Sequence, residues 1–289
     1  MEPIGIIGLG LLGSALAERL VTRGYTVVGF DQESSKVDSA SASGCRPATS
    51  AREVTEGCNT VILSLPTSLI AAEVVAEMAP SLRAGQTILD ITTGDPLEME
   101  ALAARLSQHG VNYVETNVAG SSSQARKGEV SLFLGGDEKV IQAHDELFNS
   151  MATNVFHLGG AGSASRFKLV HNLAVGLHRA VLAETLLFGE ALGFPPDQTL
   201  SILKQTPASS AAMDTKGTKM VAADYAPQAR LSQHLKDVRL MIAEAQRTGV
   251  SIPLTQLHRQ LLESAEELGF GDADNSAIIE AFRGAQKQS

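Results

Sequence analysis

A long apolar segment in the second half of the chain carries polar residues that could do chemistry. Residues 162–192 have the pattern of one helix, with Arg166, Lys168, His171 and Asn172 in its first turns. Lys168 and Asn172 are spaced i, i+4 and therefore share one face of the helix. A buried lysine is costly unless it is ion-paired or used. Lys168 is therefore either a functional group or a structural lysine, snorkelling or paired with an acid such as Glu184 or Glu190.

A glycine-rich turn near the N-terminus is the second chemical signal. It follows a short apolar strand over residues 4–7 and precedes helical periodicity over 14–23. In a dinucleotide site the first glycine permits the tight turn, the second lets the backbone approach the pyrophosphate, and the third lets helix pack on strand. The helix N-terminus supplies N–H groups for the phosphates. The residues that we expect at the cofactor in this turn are Gly8, Gly10, Leu11, Leu12 and Gly13.

An acid ends the next strand, TVVGFD, at Asp31. An acid at this distance from the glycine turn accepts the ribose hydroxyls of NAD, and its charge would repel the 2′-phosphate of NADP. The pattern therefore favours NAD. Two alternatives stay open: Asp31 could merely cap the turn, and Ser34, Ser35 and Lys36 could hold a phosphate.

The alternation of strands and helices continues along the first half of the chain. NTVILSLPTS, QTILDITTGDP, NYVETNVAGSSS and EVSLFLGG have strand patterns, with helical patterns between most of them. This order predicts an α/β fold with a doubly wound sheet. Ligands bind outside the carboxyl ends of such strands, so Leu65 and Pro66 should face the cofactor, and Thr93, Asn117 and residues 119–123 should face the same crevice. Thr93 could instead belong to a turn or an N-cap.

The chain past Gly162 is helical in pattern. Pro195 and Pro196 end the long helix, Asp197 could cap the next, and SQHLKDVRLMIAEAQRTGV is a further amphipathic helix. We therefore predict a dinucleotide-binding domain over residues 1–162 and an all-α domain over residues 163–289, joined by the long helix.

The composition and the absence of several motifs argue against some classes of protein. An apolar fraction of 44% with 19% charged residues is ordinary for a globular protein, and the net charge of −9 argues against nucleic-acid binding. No signal-peptide pattern, long uncharged apolar run, metal-ligand spacing or serine-nucleophile motif is present. The cysteines, Cys45 and Cys58, have the character of reduced thiols. We expect a cytoplasmic protein without a catalytic metal.

Several segments, taken together and in order, resemble the β-hydroxyacid dehydrogenases, the group that contains 3-hydroxyisobutyrate dehydrogenase and tartronate semialdehyde reductase. They are GIIGLGLLG, LSLPT, DITTGDP, NVAGSSSQARKGEVSLFLGG, GAGSASRFKLVHN, HLKDVRL and GDADNSAII. The resemblance implies a Rossmann domain followed by an all-helical domain of the 6-phosphogluconate dehydrogenase type, with nicotinamide and substrate in the cleft between them. It also implies NAD- or NADP-dependent hydride transfer to or from a small β-hydroxy acid or its semialdehyde.

The resemblance assigns roles to the polar residues of the long helix. The helix lysine of that family is the catalytic acid/base, which corresponds to Lys168, and its partner amide corresponds to Asn172. Burial can lower a lysine pKa toward the working pH, which suits proton transfer. Lys236 matches a family lysine that approaches the cofactor or closes over the substrate, although an exposed Lys-Asp pair on a helix is an equal alternative. Arg166 and His171 are expected to be structural, although Arg166 could meet an anionic substrate.

The substrate loop departs from the family pattern D-A-P-V-S-G-G. Here it is ETNVAGS, so an asparagine replaces the proline, and an alanine replaces the serine that binds the substrate carboxylate. The Gly120 backbone and a neighbouring serine hydroxyl can still serve, unless this is an ordinary surface loop. The added hydroxyls favour a polar acid over hydroxyisobutyrate. The candidate substrate residues are Ala119, Gly120, Ser121 and Ser122.

Two other functions remain open on the same scaffold. One is imine reduction, and the other is a non-catalytic cofactor-binding or oligomerisation role, as in chromatin-associated relatives. Both groups usually lose the helix lysine, whereas Lys168 is present.

The long helix is too apolar to be covered by one face of a domain. Because relatives associate through the helical domain, we expect a homodimer or a homotetramer.

Overall fold

The computed structural model describes residues 2–286, which divide into two compact units after Lys168. The helix Ser163–Ala191 contains this division. The domain boundary after residue 162 that the sequence suggests stays a prediction.

The first unit is built on one sheet of eight strands. The strands are β1 Ile4–Ile7, β2 Val27–Phe30, β3 Arg46–Pro47, β4 Thr60–Leu63, β5 Thr87–Asp90, β6 Asn112–Ala119, β7 Ser131–Gly136 and β8 Asn154–His157. Their order in the sheet is β3-β2-β1-β4-β5-β6-β7-β8. All neighbouring strands are parallel except β6 and β7, which are antiparallel. The helices are α1 Leu11–Thr22, α2 Ser34–Ala42, α3 Ala51–Gly57, α4 Ser68–Met78, α5 Pro96–Ser107, α6 Ser122–Lys127, α7 Glu138–Ala143 and α8 Asp145–Met151.

The doubly wound α/β fold predicted from the sequence is confirmed. Two apolar clusters form the core of this unit, one around Leu16 and Phe148 and the other around Leu63 and Met78. Parallel strands buried on both faces appear in a sequence as continuous apolar runs, and β1, β4 and β5 are runs of this kind. The edge strands β3 and β8 are mostly exposed, and neither contains an apolar run as long as those of the central strands.

The second unit is helical among its described residues, apart from a single bridge between Arg230 and Asp274. After the long helix α9 Ser163–Ala191, its α-helices are α10 Pro196–Lys204, α11 Thr218–Ala222, α12 Leu231–Thr248, α13 Pro253–Ala265 and α14 Ile279–Gln286. Short π-helical turns precede α11 and follow α13, and a 3-10 turn precedes α14.

The sequence assigned one helix cap wrongly. Pro195 occupies the N-cap position of α10 and Pro196 its first turn. Proline is favoured at the first helical position, because the backbone N–H that it lacks would have no partner within the helix there. Asp197 therefore lies inside the first turn and does not cap the helix with its side chain.

No helix within residues 2–286 has the length and hydrophobicity that a membrane crossing requires. Cys45 and Cys58 are free and buried, and burial raises the pKa of each thiol to about 11.

Candidate active site

The glycine turn joins the end of β1 to the start of α1. Gly8 has a φ of 95°, and a Cβ at this position would lie 2.2 Å from the Ser64 carbonyl oxygen. A Cβ on Gly13 would lie 1.9 Å from the Gly8 carbonyl oxygen. Both glycines are therefore required by the fold itself.

Gly10 differs from these two glycines because nothing lies within 4 Å of the position that its Cβ would occupy. It is the N-cap of α1, and it makes no side-chain cap. Open space therefore lies beside Gly10 at the N-terminus of α1, next to the partly exposed Leu11. This is the arrangement that a pyrophosphate needs, and these residues fit a dinucleotide.

Asp31 follows β2 and is tied to the glycine turn. One carboxylate oxygen accepts a hydrogen bond from the Leu9 N–H at 2.8 Å, and the other accepts from the Glu33 N–H at 2.9 Å. The Lys36 ammonium lies 3.6 Å from Asp31 and 2.6 Å from Glu33. Its hydrogen bond to Glu33 raises the pKa of Lys36. Each Asp31 oxygen retains acceptor capacity beyond its backbone bond, so a structural role and ribose binding are compatible.

The carboxyl ends of β4, β5 and β6 are joined by polar contacts. The Leu65 N–H donates to the Thr92 hydroxyl at 3.2 Å, and the Thr93 hydroxyl lies 3.5 Å from the Asn117 amide oxygen. The structure therefore brings Thr93 and Asn117 together. Asp95, and not a threonine, caps α5 by accepting from the Leu97 N–H.

The loop after β6 is organised by a helix cap. The Ser121 hydroxyl accepts from the Gln124 N–H at 3.3 Å, while the Gln124 side chain accepts from the Ser121 N–H at 2.9 Å. This reciprocal pair is a capping box, and the sequence SSSQ carries its signature, which the sequence analysis missed. Ser122 is buried in the first turn of α6, and a Cβ on Gly120 would lie 2.5 Å from Val130.

Lys168 is buried, with 7% of its surface exposed. Its ammonium donates a hydrogen bond of 2.6 Å to the carbonyl oxygen of Val118, near the carboxyl end of β6. Arg166, on the same helix, forms an ion pair of 2.7 Å with Glu100, and this pairing supports the structural role expected for it.

Glu115 was not recognised from the sequence as a functional residue, although it contacts the start of α9. Its carboxylate accepts from the Gly162 N–H at 2.5 Å and from the Ser165 hydroxyl. Glu115 is almost completely buried, and burial raises its pKa to about 7. Its register partner on β5 is Asp90, whose pKa is raised to about 6 by burial.

In the helical unit, Asn172 donates its side-chain N–H to a carboxylate oxygen of Asp237 at 2.8 Å. The other oxygen of Asp237 lies 3.0 Å from the Lys236 ammonium. Asp237 is buried, with 6% of its surface exposed. The Lys-Asp pair is therefore not a solvated surface pair, and Asp237 fixes the orientation of the Asn172 amide. Among residues 2–286 no cluster of potential metal ligands occurs.

The comparisons with known proteins identify the family. Residues 3–159 match the model of the NAD binding domain of 6-phosphogluconate dehydrogenase, and residues 160–282 match that of the NAD-binding region of NADP-dependent 3-hydroxyisobutyrate dehydrogenase. The chain is therefore an NAD(P)-dependent oxidoreductase by class. It belongs to the β-hydroxyacid dehydrogenase family, as the resemblance of its segments implied.

Individual relatives are distant in sequence but align over almost the whole chain. A 2-(hydroxymethyl)glutarate dehydrogenase of Eubacterium barkeri is 27% identical over 96% of this chain and 94% of its own length. A 2-hydroxy-3-oxopropionate reductase of Escherichia coli K12 is 27% identical over 96% of each chain. A 3-hydroxyisobutyrate dehydrogenase structure from Salmonella typhimurium has a TM-score of 0.90 at 24% identity, covering 97% of this chain and 99% of that one.

Proposed function

We propose that the protein transfers hydride between a nicotinamide cofactor and a small β-hydroxy acid or its semialdehyde, with Lys168 as the general acid/base. The observation that carries the proposal is the buried Lys168 ammonium beside the Val118 carbonyl oxygen, at the sheet edge where ligands of such folds bind. The named relatives act on hydroxy acids and an oxo acid, which favours this chemistry over imine reduction.

Lys168 and Asn172 divide the proton chemistry between them. In oxidation, the neutral lysine accepts the hydroxyl proton of the substrate, and in reduction the ammonium returns it to the developing alkoxide. The bound nicotinamide supplies or accepts the hydride. Asn172, one turn further along α9, holds the substrate oxygen in line without adding a charge. Its amide is already oriented by Asp237.

The substrate and cofactor contacts follow from the loops at the strand ends. We propose that Ala119, Gly120 and Ser122 contact the substrate, with the Gly120 N–H as a donor to its carboxylate. Ser121 joins them chiefly through its backbone, because its hydroxyl takes part in the α6 cap. The proposed cofactor contacts are Gly8, Gly10, Leu11, Leu12, Gly13, Asp31, Leu65, Pro66, Thr93 and Lys236.

The cellular setting is a further part of this proposal. The net charge of −9 supports a small-molecule partner over a nucleic acid. The two buried free cysteines support a cytoplasmic location.

Replacing Lys168 by methionine should lower kcat about 10²–10⁴-fold, because the proton acceptor of the reaction is lost. The assay is nicotinamide absorbance with a panel of β-hydroxy acids and semialdehydes. NADH binding, measured by fluorescence, should be unchanged. The exposed Lys139 provides the control variant K139M, which should keep wild-type activity. A K168M enzyme with more than about a tenth of the wild-type kcat would contradict the assignment.

Asp31 should make NAD the preferred cofactor. D31S should shift the ratio of kcat/KM for NADP over NAD by about tenfold or more toward NADP, which corresponds to about 1.4 kcal/mol, because the variant removes an acceptor and a repulsive charge. D38N removes a charge from the exposed face of α2 and should leave the ratio unchanged. If the wild-type enzyme prefers NADP, the proposal is wrong, and Ser34, Ser35 and Lys36 become the candidate phosphate site.

The protein should assemble as a homodimer or homotetramer through its helical half. Val170, Val181 and Phe188 share one face of α9 and are 62%, 59% and 64% exposed, and an apolar helix face of this kind is best covered by a second copy. Light scattering at low micromolar concentration should give at least twice the single-chain mass, and F188D should lower it. L69D, at an apolar residue of α4 that is equally exposed, should not. A wild-type mass near 30.4 kDa rejects the prediction.

A further inference from the structure

A buried carboxylate outside the proposed site holds the start of the helix that carries Lys168. Both oxygens of Glu115 are used: one accepts from the Gly162 N–H and the other from the Ser165 hydroxyl. Ser165 is fully buried, and Glu115 is 1% exposed. The first N–H groups of a helix have no partner within the helix, so the carboxylate satisfies the N-terminus of α9 from the side of the sheet.

The same strand holds the helix a second time. Three residues after Glu115, the Val118 carbonyl oxygen accepts from the Lys168 ammonium, and Lys168 in turn comes three residues after Ser165. The two contacts are therefore three residues apart both on β6 and on α9. The position of the Lys168 ammonium therefore depends on the hydrogen bonds that hold the first turn of α9 against β6.

The absence of a side chain at Gly135 of β7 leaves space for the Glu115 carboxylate. A Cβ at Gly135 of β7 would lie 2.7 Å from a carboxylate oxygen of Glu115 and 2.9 Å from the Gly160 carbonyl oxygen. The backbone of β7 thus leaves the space that the Glu115 side chain and the turn before α9 occupy.

The surroundings of Glu115 make it a costly way to cap a helix. Asp90 is its register partner on β5 and is also buried, and the Tyr113 hydroxyl donates to Asp90 at 3.0 Å. Burial raises the pKa of both acids, and the charge of Asp90 raises that of Glu115 further. An exposed serine or aspartate caps a helix without such a cost. Buried acids of this kind cluster at functional sites.

We propose that Glu115 is a positioning residue for the reaction, which holds the first turn of α9 so that the Lys168 ammonium lies at the end of β6. This inference rests on the proposed function, because it acts through Lys168. In this proposal Glu115 acts through the position of Lys168 and not by direct contact with substrate or cofactor. Loss of the Glu115 carboxylate should therefore lower kcat, since misplacing a catalytic group by about 1 Å costs up to about 100-fold in rate.

The first test is E115Q, which keeps the shape of the side chain but replaces one acceptor oxygen by a donor facing the helix. We expect kcat to fall about 10- to 100-fold, with the KM for the hydroxy acid and the affinity for NADH nearly unchanged. The matched control is S163A, because the Ser163 hydroxyl lies in the same turn but bonds to the Gly160 carbonyl oxygen. A wild-type kcat in E115Q would overturn the proposal, as would a loss confined to KM.

A double-mutant cycle separates positioning from a general structural effect. In the K168M background, E115Q should leave the residual rate unchanged, because the group that Glu115 positions is already absent. If E115Q lowers the K168M rate by the same factor as in the wild-type enzyme, Glu115 does not act through Lys168, and the proposal fails.

A milder variant keeps the test decisive if E115Q does not fold. S165A removes one of the two contacts of Glu115 but leaves the Glu115 carboxylate itself unchanged. We therefore expect kcat to fall by a smaller factor than in E115Q. This decrease should again occur only when Lys168 is present. An unchanged kcat in S165A would then overturn the proposal. Should K168M itself remain active, the proposed function fails; an inactive K168M with a fully active E115Q contradicts only the role of Glu115.

Discussion

The attachment of α9 to β6 is the interaction on which the proposed chemistry depends. Glu115 and the Val118 carbonyl oxygen, on one strand, bond to the first turns of the helix, the latter through Lys168 itself. A catalytic group must be held to within a fraction of an ångström by supports that are themselves rigid. The strand β6 is paired with a neighbouring strand on each side and is therefore such a support. Its contacts with α9 fix the position of Lys168.

Much of the fold could be predicted because its signals are local. The apolar runs of β1 and β4, the glycine turn and the helical period of α9 each lie within a few residues of sequence. The antiparallel pairing of β6 with β7 and the two edge strands were not predicted, because pairing direction and exposed strands leave no apolar pattern. The cap of α10 was misassigned because the sequence alone did not show which proline begins the helix.

The candidate site divides in the same way. Lys168, Asn172 and the glycine turn were found from spacing and resemblance, since each lies in a continuous motif. Glu115 and Asp237 were missed as supports because their partners lie far away in sequence, 50 residues for the pair Glu115 and Ser165 and 65 for Asn172 and Asp237. Burial turns these carboxylates from ordinary acids into supports, and burial is set by the fold.

The central claim is that Lys168 exchanges the proton, and the pH dependence of kcat/KM for oxidation of the hydroxy acid tests it most directly. Because only a neutral lysine can accept the hydroxyl proton, kcat/KM of the wild-type enzyme should rise with pH along a limb that reports a single deprotonation. K168M should lose that limb and respond only weakly to pH. A K168M enzyme that keeps the same limb at reduced amplitude would show that another group titrates and would contradict the account.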